Sequence, residues 1–390
     1  MSLCLSAHAD SRDQAKRIHD RLAGVPPSAT TLDTMADLID DDRATEAAMM
    51  AMDHPDFYRT TLKNWAVPWT NRDFSVFAPL NDYVATVIGM VRDDVDFREL
   101  LYGDIIYVSQ ALPGIPAYST SNNDHYEALE AQGVDLAANL ERRAQGSVNG
   151  LPSEAISGVF TTRAGARAFF YLGTNRAMLR YTLVNHLCND LEQLADTTRT
   201  PDRIRQDVTR SPGGDSRVFR NNCIGCHSGM DPLAQAFAYY DWDFNRDNDP
   251  TGENGQLTWN ASGVTVEETG SRVVPKYHFN ENNFPFGFVT PNDNWDNYWR
   301  AGVSQRMGWD EDLPGSGQGA ASMGMELAHS DAFASCQVHK VFETVCLRTP
   351  GLRPRLGPLD RARRRRPGHR AGGRSQRVRL ARFHPVDAND

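Results

Sequence analysis

Residues Cys223-Ile224-Gly225-Cys226-His227 read C-x-x-C-H, the spacing of c-type haem attachment. Two thiols three residues apart share one face of a helical turn. There they can form thioether bonds to the two vinyl groups of one porphyrin. His227 follows at once and can ligate the iron, one of the standard ways a protein holds haem. Cys223 and Cys226 are therefore the candidate tethers of one covalent haem c, and His227 is the candidate metal ligand. Two other chemistries use paired cysteines. A structural zinc site needs four ligands, and the chain offers no second pair at matching spacing. Cys336-Gln337-Val338-His339 stands alone inside a helical pattern. A thioredoxin-like pair belongs to a βαβ pattern, and none surrounds this motif.

The flanks carry a family likeness. Residues 223–241, CIGCHSGMDPLAQAFAYYD, resemble the haem segment of large secreted cytochrome-c-like proteins of planctomycetes and other environmental bacteria. In those proteins C-x-x-C-H is followed by a small residue, then M/I-D-P-L-G and an aromatic ending in F-D or Y-D. Residues 330–348, SDAFASCQVHKVFETVCLR, are similar to their short C-terminal helical unit, and residues 14–28, QAKRIHDRLAGVPPS, to their mature N-terminus. Ala234-Gln235 stand where relatives often carry Gly. The resemblance implies haem and secretion. It implies no particular reaction, because these domains are largely of unknown function.

Other residues could complete such a site. In a class-I-like cytochrome the sixth iron ligand, often Met, comes from a loop before the last helix. Met323 and Met325 lie in that approach and Met307 in the preceding loop, although filling the core is the commoner role for Met. Met230 follows His227 too closely to reach the opposite face of a ring. His278, His329, His339 or an open position are the alternatives. Asp231, Asp241 and Asp243 could bind a cation, with helix capping and solvation as the plainer reading. Asn221-Asn222 are expected to cap or turn the segment entering the motif. Among the remaining cysteines, Cys336 and Cys346 are ten residues apart on one expected helix, roughly 15 Å. That exceeds disulfide reach, so any bridge joins Cys188 to one of them.

These residues need a scaffold, and the pattern predicts a mainly α protein. Helices are expected over 10–24, from Thr30 or Thr31 onward, over 43–65 with a break at Pro55, over 80–101 with a break near Asp93-Asp94, and over 134–144 and 164–198. Pro212-Gly213-Gly214 reads as a turn. Residues 216–227 should be helical at the motif. Residues 241–298, rich in Asn, Asp and Gly, read as an excursion with a small β-hairpin from Gln256–Trp259 and Val264–Val274. Helix resumes over 293–304, Gly315–Gly319 is a loop, and Ser330 caps a final helix ending near Leu347. The expected organisation is a helical domain over 10–200 and a cytochrome-c-like haem module over 201–350.

The net charge of −9 hides a split: residues 351–390 carry 12 Arg against 3 Asp, so the first 350 residues carry −18. So acidic a body should repel nucleic acid. The Arg-rich tail, with Arg363-Arg364-Arg365-Arg366, reads as an anionic-surface arm, a disordered tail, or out-of-frame text; the abrupt end of the family pattern near Pro350 favours the last. Met1–Ala9 ends in Ala7-His8-Ala9, a cleavage-like signal, and reads as a truncated signal peptide. Cys4 lies too near Met1 for a lipid anchor. No apolar run approaches a transmembrane length. The expected function is electron transfer in the periplasm or outside the cell, with a periplasmic redox protein or enzyme subunit as partner. The alternatives are a haem enzyme of peroxidase or oxidase type with an open sixth position, and a structural part of an extracellular assembly.

Overall fold

A computed structural model describes residues 10–347 and Thr349. The expected signal remnant with Cys4 and the Arg-rich residues 351–390 lie outside the described residues. Within them the chain is mainly α-helical, with three two-stranded antiparallel sheets. No helix there is long and apolar enough to cross a membrane.

Most helix starts follow from local capping, in which a side-chain oxygen satisfies an otherwise orphaned amide. Asp10 caps Ser11–Leu22. Ser28, rather than Thr30 or Thr31, caps Ala29–Asp40 through the Thr31 amide. Asn81 caps Asp82–Arg92, which ends where Asp94 takes φ 51°. Past Pro55 the chain forms a π-helical turn, Phe57–Leu62, and then Lys63–Ala66. Ser330 caps the final helix, Asp331–Cys346, as expected.

The expected 164–198 helix is broken into Arg163–Phe170, Arg176–Leu187 and Leu191–Leu194, with Leu172, Asn175 and Cys188 at positive φ, and most other departures involve short strands. Strand β1 (Ile106–Ser109) pairs with β2 (Leu140–Arg143), so only Leu136–Asn139 of the 134–144 stretch is helical. A short apolar run such as Ile105–Val108 has no periodicity that separates strand from buried helix. Gln256–Trp259 is a strand, β4, but its partner is β3 (Tyr240–Asp243), directly after the motif segment. Val264–Val274 makes only a single bridge, Val266 to Ser271. Residues 293–304 form no α-helix. They hold strand β5 (Asn294–Asp296) and two 3₁₀ turns, Tyr298–Arg300 and the start of Gly302–Met307. The Asn297 side chain caps the first turn, and Gly302 at φ 73° redirects the chain. The expected loop at 315–319 contains β6 (Ser316–Gln318), paired with β5. Trp295 faces Gly317 in that register, where a Cβ would lie 3.0 Å from the indole.

One hydrophobic core runs from Ala15 to Phe333 and is not interrupted near residue 200. Leu183 and Leu187 from the N-terminal side share it with Leu233 and Phe237. Buried Asn175, which precedes the Arg176–Leu187 helix, donates to the carbonyls of Phe237 and Tyr240, both at 2.9 Å. Cys188, at the end of that helix, is disulfide-bonded to Cys336 of the final helix. Cys346 is an exposed free thiol.

The final helix also places a lysine, Lys340, over the Trp69 ring. Lys340 Nζ donates to the Asn185 carbonyl and lies 4.3 Å from the centre of the Trp69 ring. Burial pushes this amine down to about 7, against the opposing pull of Glu343. The adjacent His186 is kept neutral by burial and then by the Lys340 charge. An unfolded lysine titrates near ~10.4, and each tenfold loss of proton affinity on folding corresponds to ~1.4 kcal/mol. Between those values the unfolded chain binds more protons, so stability rises with pH across that window and the full penalty applies below it. The Trp69 ring offsets part of the penalty, by ~1–2 kcal/mol. Lys340→Met is expected to stabilise the fold at pH 6 by about 2 kcal/mol and to flatten the rise between pH 7 and 10 in urea titrations. An unaltered slope would show that Lys340 stays charged throughout.

Candidate haem-attachment site

The motif sits where a π-helical turn, Phe219–Cys223, runs into the α-helix Ile224–Ala234. Such π turns recur at functional sites. The run begins at the expected turn, where Gly213 and Gly214 both take positive φ, and Asp215 caps Ser216–Val218. Asn221 and Asn222 lie inside the π-helical turn, where they cap nothing. Cys223 and Cys226 are free thiols, both half-buried. Burial pushes the Cys226 thiol up, and its Sγ lies 3.5 Å from the Leu191 carbonyl oxygen.

Two glycines let other elements close on this helix. The Asp196 amide donates to the Gly225 carbonyl at 3.0 Å, and a Cβ on Gly225 would come 3.2 Å from that nitrogen. Buried Trp299 lies directly on Gly229, where a Cβ would stand 2.1 Å from the indole nitrogen. Pro232 stands near the end of the helix, and the chain tightens into a 3₁₀ turn at Gln235–Phe237 without a glycine.

His227 is oriented by a carboxylate one turn further on. Its Nδ1 lies 3.2 Å from both oxygens of Asp231. Asp231 is fully buried, whereas the His227 side chain keeps one-fifth of its surface exposed. Arg176, first residue of its helix, grips Asp231 with a two-pronged fork: Nε to Oδ1 at 2.6 Å and Nη2 to Oδ2 at 2.9 Å. The same guanidinium donates to Asp207 Oδ1 at 2.9 Å. The Arg205 amide adds a longer bond to Asp231 Oδ2, 3.3 Å. Burial alone would raise the Asp231 carboxyl, but Arg176 and His227 outweigh it and hold the group well below the usual carboxylate range. An ionised carboxylate only accepts hydrogen bonds, so Nδ1 carries the proton and Nε2 is left as the donor atom for a metal. Nε2 takes no hydrogen bond from the described residues.

Asp231 is thus neither a solvated cap nor part of a cation site. Asp241 pairs with Lys276 at 2.6 Å, and Asp243 is exposed at the strand end. Among the described residues no group of three or more His, Cys, Asp or Glu is placed to hold a metal ion by itself. Of the sixth-ligand candidates, Met307 and Met323 are buried in the core and Met325 is 38% exposed. His278 Nε2 lies 3.3 Å from the Thr290 carbonyl oxygen, His329 Nδ1 donates to the Met325 carbonyl, and His339 pairs with Glu343. Arg176 and Asp207 escaped sequence reasoning. Arg176 stands 55 residues before its partner, and nothing in its own neighbourhood marks it.

No family model, curated protein or solved structure matches the chain. The functional reading therefore rests on the site.

Proposed function

We propose that the protein is an exported c-type cytochrome with one covalent haem, passing single electrons to another periplasmic redox protein or to an enzyme subunit. Cys223 and Cys226 would hold the haem as thioethers, and His227 Nε2 would ligate its iron. When bound, the haem supplies one-electron cycling of the iron. The observation that carries this reading is the hydrogen bond from His227 to Asp231. A ring tied at Nδ1 to a buried, anchored carboxylate has its tautomer and orientation set for a metal at Nε2. The two thiols that precede it are free and half-buried on the same helical run. Export is supported by the Cys188–Cys336 bridge, which belongs to an oxidising compartment. The cytochrome-c-like nature of residues 201–350 is part of the same proposal.

One feature favours a haem enzyme instead. A carboxylate partner raises the basicity of a ligating histidine, and electron donation from the proximal side favours O–O cleavage. Optical spectra separate the two readings. A low-spin, six-coordinate haem indifferent to peroxide supports transfer; a high-spin haem that reacts with peroxide supports catalysis.

The attachment test is direct. Protein made together with a c-type haem-attachment system should retain one haem per chain by mass spectrometry after acid and organic extraction. Haem that extracts freely would overturn the proposal. His227→Ala is expected to keep the covalent haem and turn it high-spin.

A further inference from the structure

We propose that Asp231 is the positioning residue of the iron ligand, a buried anion that fixes His227 with Nε2 toward the metal and gives the imidazole partial imidazolate character, which sets the reduction potential low. The inference rests on the haem reading above and adds the determinant of its redox behaviour. Nδ1 is equidistant from the two Asp231 oxygens at 3.2 Å, and neither oxygen is free to swing away. Oδ1 is held by Arg176 Nε, and Oδ2 by Arg176 Nη2 and the Arg205 amide. The side chain has no contact with water. The clamp does not depend on the motif helix alone, since Arg176 follows Asn175, which is tied to the Phe237 and Tyr240 carbonyls.

The direction of the effect follows from charge. A hydrogen bond from Nδ1 to an anion raises the electron density of the ring, which favours Fe³⁺ over Fe²⁺. Arg176 and Arg205 stand near Asp207 and Asp231, and Arg210 also feels both carboxylates, so the cluster as a whole is not anionic. Its members are not equally close to the ring. Coulomb interaction falls with distance, and only Asp231 touches His227. Arg176 also limits the effect, because it stabilises the carboxylate charge and so keeps the proton on Nδ1. The ligand is therefore a polarised imidazole, short of full imidazolate.

The test uses holoprotein. Resonance Raman of the ferrous form, with any sixth ligand displaced by CO and photolysed, reads the iron–histidine stretch. In the wild type this stretch should lie above that of a plain imidazole complex of haem in water; an equal frequency overturns the proposal whatever the variants do. Asp231→Asn should lower the stretch and raise the midpoint potential while the covalent haem is retained, and Asp231→Glu should restore part of both. Asp207→Asn removes an anion from the same arginine without touching His227, so it should leave the stretch in place and move the potential less. If Asp207→Asn shifts the potential as much as Asp231→Asn, the diffuse field of the cluster sets it and the proposal fails. Absence of covalent haem in the wild type would instead refute the haem reading.

Discussion

Replacing Cys188 and Cys336 together by serine is expected to cost the fold about 5 kcal/mol. The bridge spans 148 residues of sequence. A cross-link removes conformational freedom from the unfolded chain, and on the loop-entropy account a loop of this size contributes roughly 5 kcal/mol. The native side adds to the loss. Cys336 is almost fully buried, so a serine there places a hydroxyl in apolar surroundings. Urea unfolding measures the effect, and Cys346→Ser is the control. That thiol is exposed and unpaired, and its replacement should stay within about 0.5 kcal/mol. A double variant as stable as the wild type would mean that the unfolded chain is already compact or that the bridge does not form. The loss bears on function as well. The bridge joins the helix that begins with Arg176 to the final helix, and the C-x-x-C-H motif lies inside the loop that it closes.

Arg176→Met should be nearly as damaging, by about 3–5 kcal/mol, because it breaks a buried ion pair from one side only. Methionine keeps much of the volume. What it removes is the one guanidinium that holds both Asp231 and Asp207. Two carboxylates would then share a desolvated space with no arginine fork between them. Arg176→Met combined with Asp231→Asn should therefore lose less than the two single losses added, since the uncompensated charge is gone. Thermal melts of all three variants give the comparison. A cost under about 1 kcal/mol for Arg176→Met would show that water reaches the pair and that Asp231 is not a desolvated anion.

Local sequence is enough for whatever depends on neighbours within a turn or two. Cys223, Cys226 and His227 share a short helical run because their spacing puts them there. Ser330 starts the final helix because its hydroxyl can reach the Phe333 amide three residues on. The same reasoning excluded a Cys336–Cys346 bridge, since ten residues of helix separate those sulfurs too far. It could not choose between Cys336 and Cys346 as the partner of Cys188, which depends on which turn of the final helix packs against the Arg176–Leu187 helix. The strands show the same division. Gln256–Trp259 reads as a strand by alternation, but its pairing with Tyr240–Asp243 is a choice among partners, and the β5–β6 pair arises where Gly317 makes room for Trp295.

Asp231 shows the limit most clearly. An aspartate four residues after a histidine is compatible with a cation ligand or with a solvated helix cap, and the local sequence favours the cap. Tertiary packing decided it by removing the carboxylate from water and bringing in an arginine from 55 residues away. Once desolvated, the charge requires a close opposite charge and hydrogen bonds, and Arg176 and His227 are the groups that the fold places within reach.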